Sequence, residues 1–323
     1  MSEPDALEAL GTVDVLVIGE PLVELSSTRP MHNGAPMRLG FSGDALNAAA
    51  AAAAAGARTA LLARVPADEL GDAMVAHIAE LGVETGALLR VPGQHGVYLT
   101  HIDPTGGRQF AYARSGSATS ALAPEDLPGG LVASAGVVVS SGVTCALSAG
   151  AAAAVERAAR LARCFVYDPN FRPRLTGADA AAAVLRRLAP LARLVTPSWP
   201  GEARQLLGLG PDSVPGDAVA AVLALGAAAV AVTSGPDGVL LGTPAGETEI
   251  PPVPPPRVVD QTGAGDVLTG TIAARLALGD DLLDAVRLGA GAAALSVQGR
   301  GGTGYLPTLA ESRAAACARG AVR

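Results

Sequence analysis

Residues Val258–Gly270 read VVDQTGAGDVLTG. The β-branched pair Val258 and Val259 predicts a strand that ends at Asp260. Glycines follow at 263 and 265, and the apolar pattern from Ala264 predicts a helix over Ala264–Ala277. A strand that runs through glycines into a helix is a joint of α/β architecture, and the N–H groups at such a helix start attract anions. The backbone N–H groups of Gly263, Ala264 and Gly265 are therefore expected to face outward as an anion hole. Asp266 falls in the first helical turn beside it. A carboxylate there can take a proton from a hydroxyl while the N–H groups stabilise charge developing on a phosphate. Two other readings stay open. In a GxGxxG register the last position is Leu268, which makes a weak dinucleotide fingerprint. Asp266 could also serve only as a cap on a glycine turn.

Outward from this joint, short apolar runs alternate with helical stretches. Strands are expected at Val13–Gly19, Thr59–Arg64, Gly136–Ser141, Cys164–Asp168, Leu194–Thr196 and Ala228–Thr233. Helices are expected at Asp44–Ala55, Asp72–Leu81, Ala149–Ala162, Ala178–Leu191, Gly201–Leu207, Asp217–Leu225 and Leu282–Val297. Nearly all-apolar strands separated by helices indicate a mostly parallel sheet covered on both faces. The fold class is α/β, doubly wound, in a single domain over residues 1–323, with the proline run Pro251–Pro256 as a stiff connector. Two segments, about 21–41 and 96–114, break the alternation and read as a small β lid. In the second, GVYLTHI and RQFAYAR flank the turn residues Asp103–Gly107. If Ile102 pairs with Arg108, then Tyr98 faces Tyr112 and Gly96 faces Arg114. That register gathers Tyr98, Tyr112 and Arg114 on one face beside Thr100 and Phe110.

Composition narrows the function. The chain has 323 residues, is 50% hydrophobic and carries a net charge of −7. A chain this long buries roughly three quarters of its unfolded surface. The acidic balance argues against a general nucleic-acid binder. All 23 basic residues are arginine, and there is no lysine. That excludes a Walker A loop, a Schiff-base lysine and a protein-kinase strand lysine. Cys145, Cys164 and Cys317 have no CxxC spacing, and the four histidines show no metal-ligand spacing. Met1–Leu10 carries acids and no base, unlike a signal peptide. The uncharged run Leu127–Val155 is long enough to span a bilayer, but its glycines and serines favour a buried strand, a loop and an alanine-rich helix. A soluble cytoplasmic protein, bound to neither membrane nor nucleic acid, is expected.

Two further clusters carry candidate chemistry. Tyr167–Leu175, YDPNFRPRL, follows a strand at its carboxyl end, where ligands bind in open α/β sheets. It offers Asp168, Asn170, Arg172 and Arg174, and arginine grips carboxylate or phosphate bidentately. Gly40–Asn47, GFSGDALN, feeds the eight-alanine run Ala48–Ala55. Gly43 allows close approach of a ligand, and Asp44 and Asn47 lie one helical turn apart. A plain N-cap at Ser42 or Asp44 fits that stretch equally well.

These motifs, in this order, resemble the ribokinase or PfkB family of sugar kinases. DQTGAGD is similar to the family's DTTGAGD signature, FSGDALN to its glycine motif and TSGPDGV (Thr233–Val239) to its nucleotide loop. AAALSVQGRGG (Ala292–Gly302) is similar to its last helix. The likeness covers residues 13–308. It implies an ATP-dependent, Mg²⁺-using phosphotransferase with a small β lid. VDVLVIGEPLVEL, FAYARSGSATSALAPEDL and DPNFRPRL most resemble the 2-keto-3-deoxygluconate kinases of that family. By that resemblance, Gly43, Tyr98, Tyr112, Arg114 and Arg172 would bind a sugar acid, and Asp266 would take the proton from its C6 hydroxyl. Ser198, Thr233, Gly235, Gly238 and Gly265 would lie near ATP, and Glu202 would stand in the metal motif, here SWPGE. Ser42 replaces a family glycine and Gln261 a threonine. A neutral-sugar or nucleoside kinase, or a non-catalytic sugar-binding regulator, is the alternative. Pairing of lid edges into a homodimer or higher assembly is expected.

Overall fold

The computed structural model describes residues 10–103 and 108–317. The expected turn at 104–107 and the first nine residues lie outside them. The chain begins β1 (Val15–Ile18), β2 (Leu22–Ser26), β3 (Arg38–Ser42), α1 (Asp44–Ala54), β4 (Thr59–Pro66), α2 (Glu69–Glu80) and β5 (Leu88–Val91). It continues through β6 (Val97–Ile102), β7 (Arg108–Ala113), α3 (Gly129–Ser134), β8 (Val137–Ser141), α4 (Gly142–Leu147), α5 (Ala149–Leu161) and β9 (Phe165–Asp168). Then come α6 (Ala178–Leu188), β10 (Leu194–Val195), α7 (Gly201–Leu207), α8 (Pro215–Ala224), β11 (Val230–Thr233), β12 (Val239–Thr243) and β13 (Gly246–Ile250). The helices α9 (Ala264–Ala277), α10 (Leu282–Ser296) and α11 (Leu309–Cys317) close the order.

The main sheet has nine strands in the order β13-β12-β11-β10-β9-β8-β1-β4-β5. It is parallel except for β12 and β13, which fold back as an antiparallel edge. Successive side chains of a strand point to opposite faces, and the core divides accordingly. Leu16 and Ile18 pack on one side with Val138, Phe165 and Val232. Val15 and Val17 pack on the other with Val139, Val166 and Ala231. Each such fully buried aliphatic side chain contributes about 1.5–3 kcal/mol.

The alanine run of α1 matters for what it lets approach. A Cβ added at Gly270 would stand 2.1 Å from the carbonyl oxygen of Ala48, so α1 and α9 cross with their backbones in contact. That crossing carries Asn47 of α1 to Asp266 of α9.

The small sheet runs β3-β2-β6-β7. The expected hairpin register is present: Tyr98 pairs with Tyr112, Thr100 with Phe110 and Ile102 with Arg108. Pairing ends at Val97 and Ala113, so Gly96 and Arg114 leave the ladder.

Several local expectations change. Val258–Asp260 is not a strand. Val258 and Val259 are exposed, and the N–H groups of Val259 and Asp260 both turn to the carbonyl of Val297. Two β-branched residues without a neighbouring strand have no ladder to join. The expected loop after Ser141 is a helix, α4, because the Ser141 hydroxyl caps the N–H of Thr144. Helix α2 starts at Glu69, ahead of Asp72, because the Asp68 carboxylate caps Gly71 at 2.8 Å. Within Ala292–Gly302 the helix stops at Ser296, and α11 follows later. Among the described residues no helix is long and apolar enough to cross a membrane.

Candidate active site

The carboxyl ends of β8 and β9, the start of α1, the start of α9 and one face of the small sheet enclose a cavity of about 630 Å³. It lies where open α/β sheets bind ligands. Gly43, Asp44, Asn47, Tyr98, Tyr112, Arg114, Asn170 and Arg172 all line it. So do Ser198, Glu202, Thr233, Gly235, Gly263, Ala264, Gly265 and Asp266. These positions come from six separate stretches of sequence, and folding brings them to one place.

Asp266 is the centre. It accepts Asn47 Nδ2 at 2.8 Å and Asn170 Nδ2 at 3.0 Å. Both amide donors favour the ionised carboxylate, but burial opposes them, and the Asp44 carboxylate adds repulsion. The balance pushes Asp266 up to about 7. That suits a proton acceptor at neutral pH. Asn170 reaches its place with φ 42, a left-handed conformation that asparagine tolerates better than most residues.

Asn47 is held from three sides. The Ser42 hydroxyl donates to Asn47 Oδ1 at 3.2 Å, which fixes the amide with Nδ2 toward Asp266. A Cβ added at Gly302 would stand 2.2 Å from Asn47 Nδ2, and one at Gly263 would stand 3.2 Å from it. The serine in place of a family glycine thus has a structural role. The role of Gly302 was not visible in the sequence, because only tertiary packing puts it against Asn47.

The anion hole is narrower than expected. Gly263 takes φ 82 and caps α9, while the Ala264 N–H turns back to the Gln261 carbonyl at 3.3 Å. The opening at Gly265 remains: a Cβ built there meets no atom within 4 Å, so its backbone faces empty space. Helix starts leave their first N–H groups without intrahelical acceptors. Gly265 thus leaves room at the helix start for a ligand group. The chain before it is braced by Asp260, whose carboxylate accepts the N–H groups of Thr262 at 3.0 Å and Gly301 at 2.7 Å.

Two sequence expectations need correction, and a third residue gains a partner. Gly238 does not line the cavity. Its φ is 95, and a Cβ there would stand 2.3 Å from the Ile250 carbonyl, so its smallness serves the β11–β12 turn. Glu202 is not open to a metal. Its carboxylate accepts Ser198 N at 2.6 Å, Ser198 Oγ at 3.0 Å and the Phe171 N–H. It therefore ties the Ser198 loop to the Asn170 loop. Arg114 lines the cavity as expected, but it is buried and paired with Glu20. Glu20 itself gave no signal in the sequence, because its partners lie 94 and 97 residues away.

The remaining positions behave simply. Arg172 donates to the Phe171 carbonyl at 3.3 Å, and no carboxylate among the described residues pairs with it. Arg174 lies outside the cavity lining and donates to the Phe110 carbonyl of the small sheet. Asp44 accepts the Ser141 hydroxyl, and Gly43, with φ 121, takes the N-cap position without a side-chain bond. Tyr98 stands with its ring centroid 6.3 Å from those of both Tyr112 and Phe110, forming an aromatic wall. Burial pushes Asp168 far above the ordinary carboxylate range, and Glu202 and Asp266 push it further. Among the described residues, no group of three or more His, Cys, Asp or Glu side chains could hold a metal ion. Cys145, pushed up to about 12 by burial, is an inert thiol.

A family model described as pfkB family carbohydrate kinase matches residues 13–309. The 2-dehydro-3-deoxygluconokinase of Thermoproteus tenax is 33% identical over 308 residues, 93% of each chain. The protein of the same name from Bacillus subtilis (strain 168) is 27% identical over 304 residues, 92% of this chain and 93% of its own. The crystal structure of a PfkB protein from Polaromonas sp. JS666 matches with a TM-score of 0.82 at 27% identity, covering 94% of this chain and 99% of that one. The match runs nearly end to end; the chain belongs to the pfkB family of carbohydrate kinases and is a sugar kinase.

Proposed function

We propose that this sugar kinase transfers the γ-phosphoryl group of ATP to the C6 hydroxyl of a sugar acid, 2-keto-3-deoxygluconate (2-dehydro-3-deoxygluconate) or its C4 epimer. The observation that carries the reading is one cavity holding Asp266, pushed up to about 7, together with Arg172, a cation without a carboxylate partner. The named relatives point to the same substrate class. In the reaction, the hydroxyl oxygen forms a bond to the γ-phosphorus as the bond from phosphorus to the ADP oxygen breaks. The hydroxyl proton passes to Asp266. Charge on the transferring group is met by the start of α9 at Gly265. Arg172 pairs with the substrate carboxylate, and Tyr98 and Tyr112 pack along the sugar.

A nucleotide fits the arm of the cavity at Ser198, Thr233 and Gly235, where a Cβ at Gly235 meets no atom within 4 Å. The protein side of a metal site fits less well, because Glu202 is saturated by three donors. Mg²⁺ is commonly held by substrate phosphates with few protein ligands, so the nucleotide would bring it. The small sheet ends at edge strand β3, with Leu39 51% exposed, which suits pairing with a second copy.

The test is a coupled ADP-release assay over keto-deoxy acids, fructose, ribose and nucleosides. Preference for a keto-deoxy acid is expected. Preference for a neutral sugar overturns the reading, and release with none of them supports a binding protein instead.

The pH profile provides a second check. A base at about 7 implies that kcat/KM rises about tenfold per pH unit up to that point and levels off above it. Asn47→Ala removes a donor that favours the ionised form, so the acid limb should move up in pH. Ser42→Ala should move it in the same direction by less. A limb that stays in place in Asn47→Ala would show that the amide does not tune the base.

A further inference from the structure

We propose that Glu20 is a positioning residue for the sugar-acid site: it fixes Arg114 in the cavity wall and cancels its charge, leaving Arg172 as the cation that selects the carboxylate. The inference rests on the sugar-acid reading above and deepens it.

Glu20 occupies the link between β1 and β2, where the chain leaves the main sheet for the small one. It is 1% exposed. Its carboxylate accepts Arg114 Nη2 and the Ser117 hydroxyl, both just beyond β7, the other leg of the small sheet. Room for it is built in: a Cβ at Gly96 would stand 2.6 Å from Glu20 Oε1 and 2.5 Å from Leu22 Cδ2. A buried acid this closely fitted, with two donors of its own, is a designed contact and not a solvated charge. Burial pushes the Glu20 carboxyl upward, while Arg114 and Ser117 hold it down.

The consequence concerns Arg114. It is 7% exposed and lines the cavity, one side of its guanidinium is committed to Glu20, and its Nε–H is buried without an acceptor. That Nε–H has no open surface, so a ligand meets only the part of the guanidinium that lines the cavity. With Glu20 as counter-charge, Arg114 adds a directed donor to the site and no net positive charge. A neutral oxygen of the substrate, hydroxyl or keto, is the matching group. Arg172 makes no ion pair of this kind: Asp168, Glu202 and Asp266 feel its charge only from a distance, and its donors stay open to a ligand, so the two arginines divide the work. In the small sheet, Glu24 accepts the Tyr98 hydroxyl, which holds that ring but cancels no charge.

Two variants separate positioning from charge. Glutamine at 20 can accept from Arg114 and donate to Ser117, so Glu20→Gln keeps the contacts and uncovers the charge. Its ratio of kcat/KM for the keto-deoxy acid to kcat/KM for a neutral sugar should rise about fivefold or more over the parent ratio. Glu20→Ala removes the contacts. It should raise KM for acid and neutral sugar alike, by about tenfold or more, with a smaller change in kcat. An unchanged or lower ratio in Glu20→Gln overturns the charge cancellation, and this variant decides the matter if Glu20→Ala does not fold. Parent-like KM values in Glu20→Ala overturn the positioning role, as does a loss confined to melting temperature. The parent's own preference between acid and neutral sugar reports separately on the sugar-acid reading, because Glu20 enters only through variant-to-parent ratios.

Discussion

Replacing Asp266 by asparagine is expected to lower turnover by about 10²–10⁴-fold, the usual contribution of a positioned general base. The change keeps the side chain's shape but removes its ability to accept a proton. Asp266 meets the requirements for that role together: it is buried, lies at the start of α9 and is held by Asn47 and Asn170 at 2.8 and 3.0 Å. Sugar affinity should change little, because the proposed grip on the sugar is by Arg172 and the aromatic wall. Steady-state turnover and calorimetric binding on the same preparation make the comparison. Turnover within a few-fold of the parent would show that the proton leaves by another route. Loss of sugar binding in parallel with turnover would show that Asp266 holds the substrate instead of deprotonating it.

Arg172→Ala should produce the second large effect, a rise in KM for the keto-deoxy acid of about 10²-fold with a far smaller change for fructose. The argument is one of charge. Arg114 is neutralised by Glu20, so Arg172 is the lining cation left without a carboxylate. A charge-assisted, bidentate pair is roughly twice as strong as a neutral hydrogen bond and is lost whole on truncation. Arg172→Lys should rescue poorly, since a point charge does not reproduce the planar fork. Equal losses on acid and neutral sugars would assign Arg172 to holding its loop or the phosphates. Carboxylate recognition would then have to lie elsewhere in the cavity.

How far the sequence reached depended on the range of each interaction. The six central strands of the main sheet were legible as apolar runs, because a parallel strand buried on both faces has little choice of residue, whereas the edge strands β5, β12 and β13 were not expected. The hairpin register was legible because alternation and a short turn leave few alternatives, and it placed Tyr98 against Tyr112. The strand expected at Val258–Asp260 failed for the complementary reason. Strand propensity is satisfied only by a neighbour, and both N–H groups there turn to Val297 instead.

The residue types at the site were also legible: an aspartate after glycines, an amide and arginines after a strand, and a glycine before an alanine helix. Their states were not. The sequence by itself determined that an acid and glycines stand at a helix start and that arginines follow a strand end, since local spacing governs those. Only the tertiary structure decided which groups are committed to partners. Glu202 is spent on three donors from the Ser198 and Asn170 loops. Arg114 is cancelled by a glutamate 94 residues away. Asp266 is lifted to about 7 by burial and by Asp44 from another helix. The physical reason is that ionisation and charge pairing depend on desolvation and on distance in space, and neither is a property of neighbours along the chain.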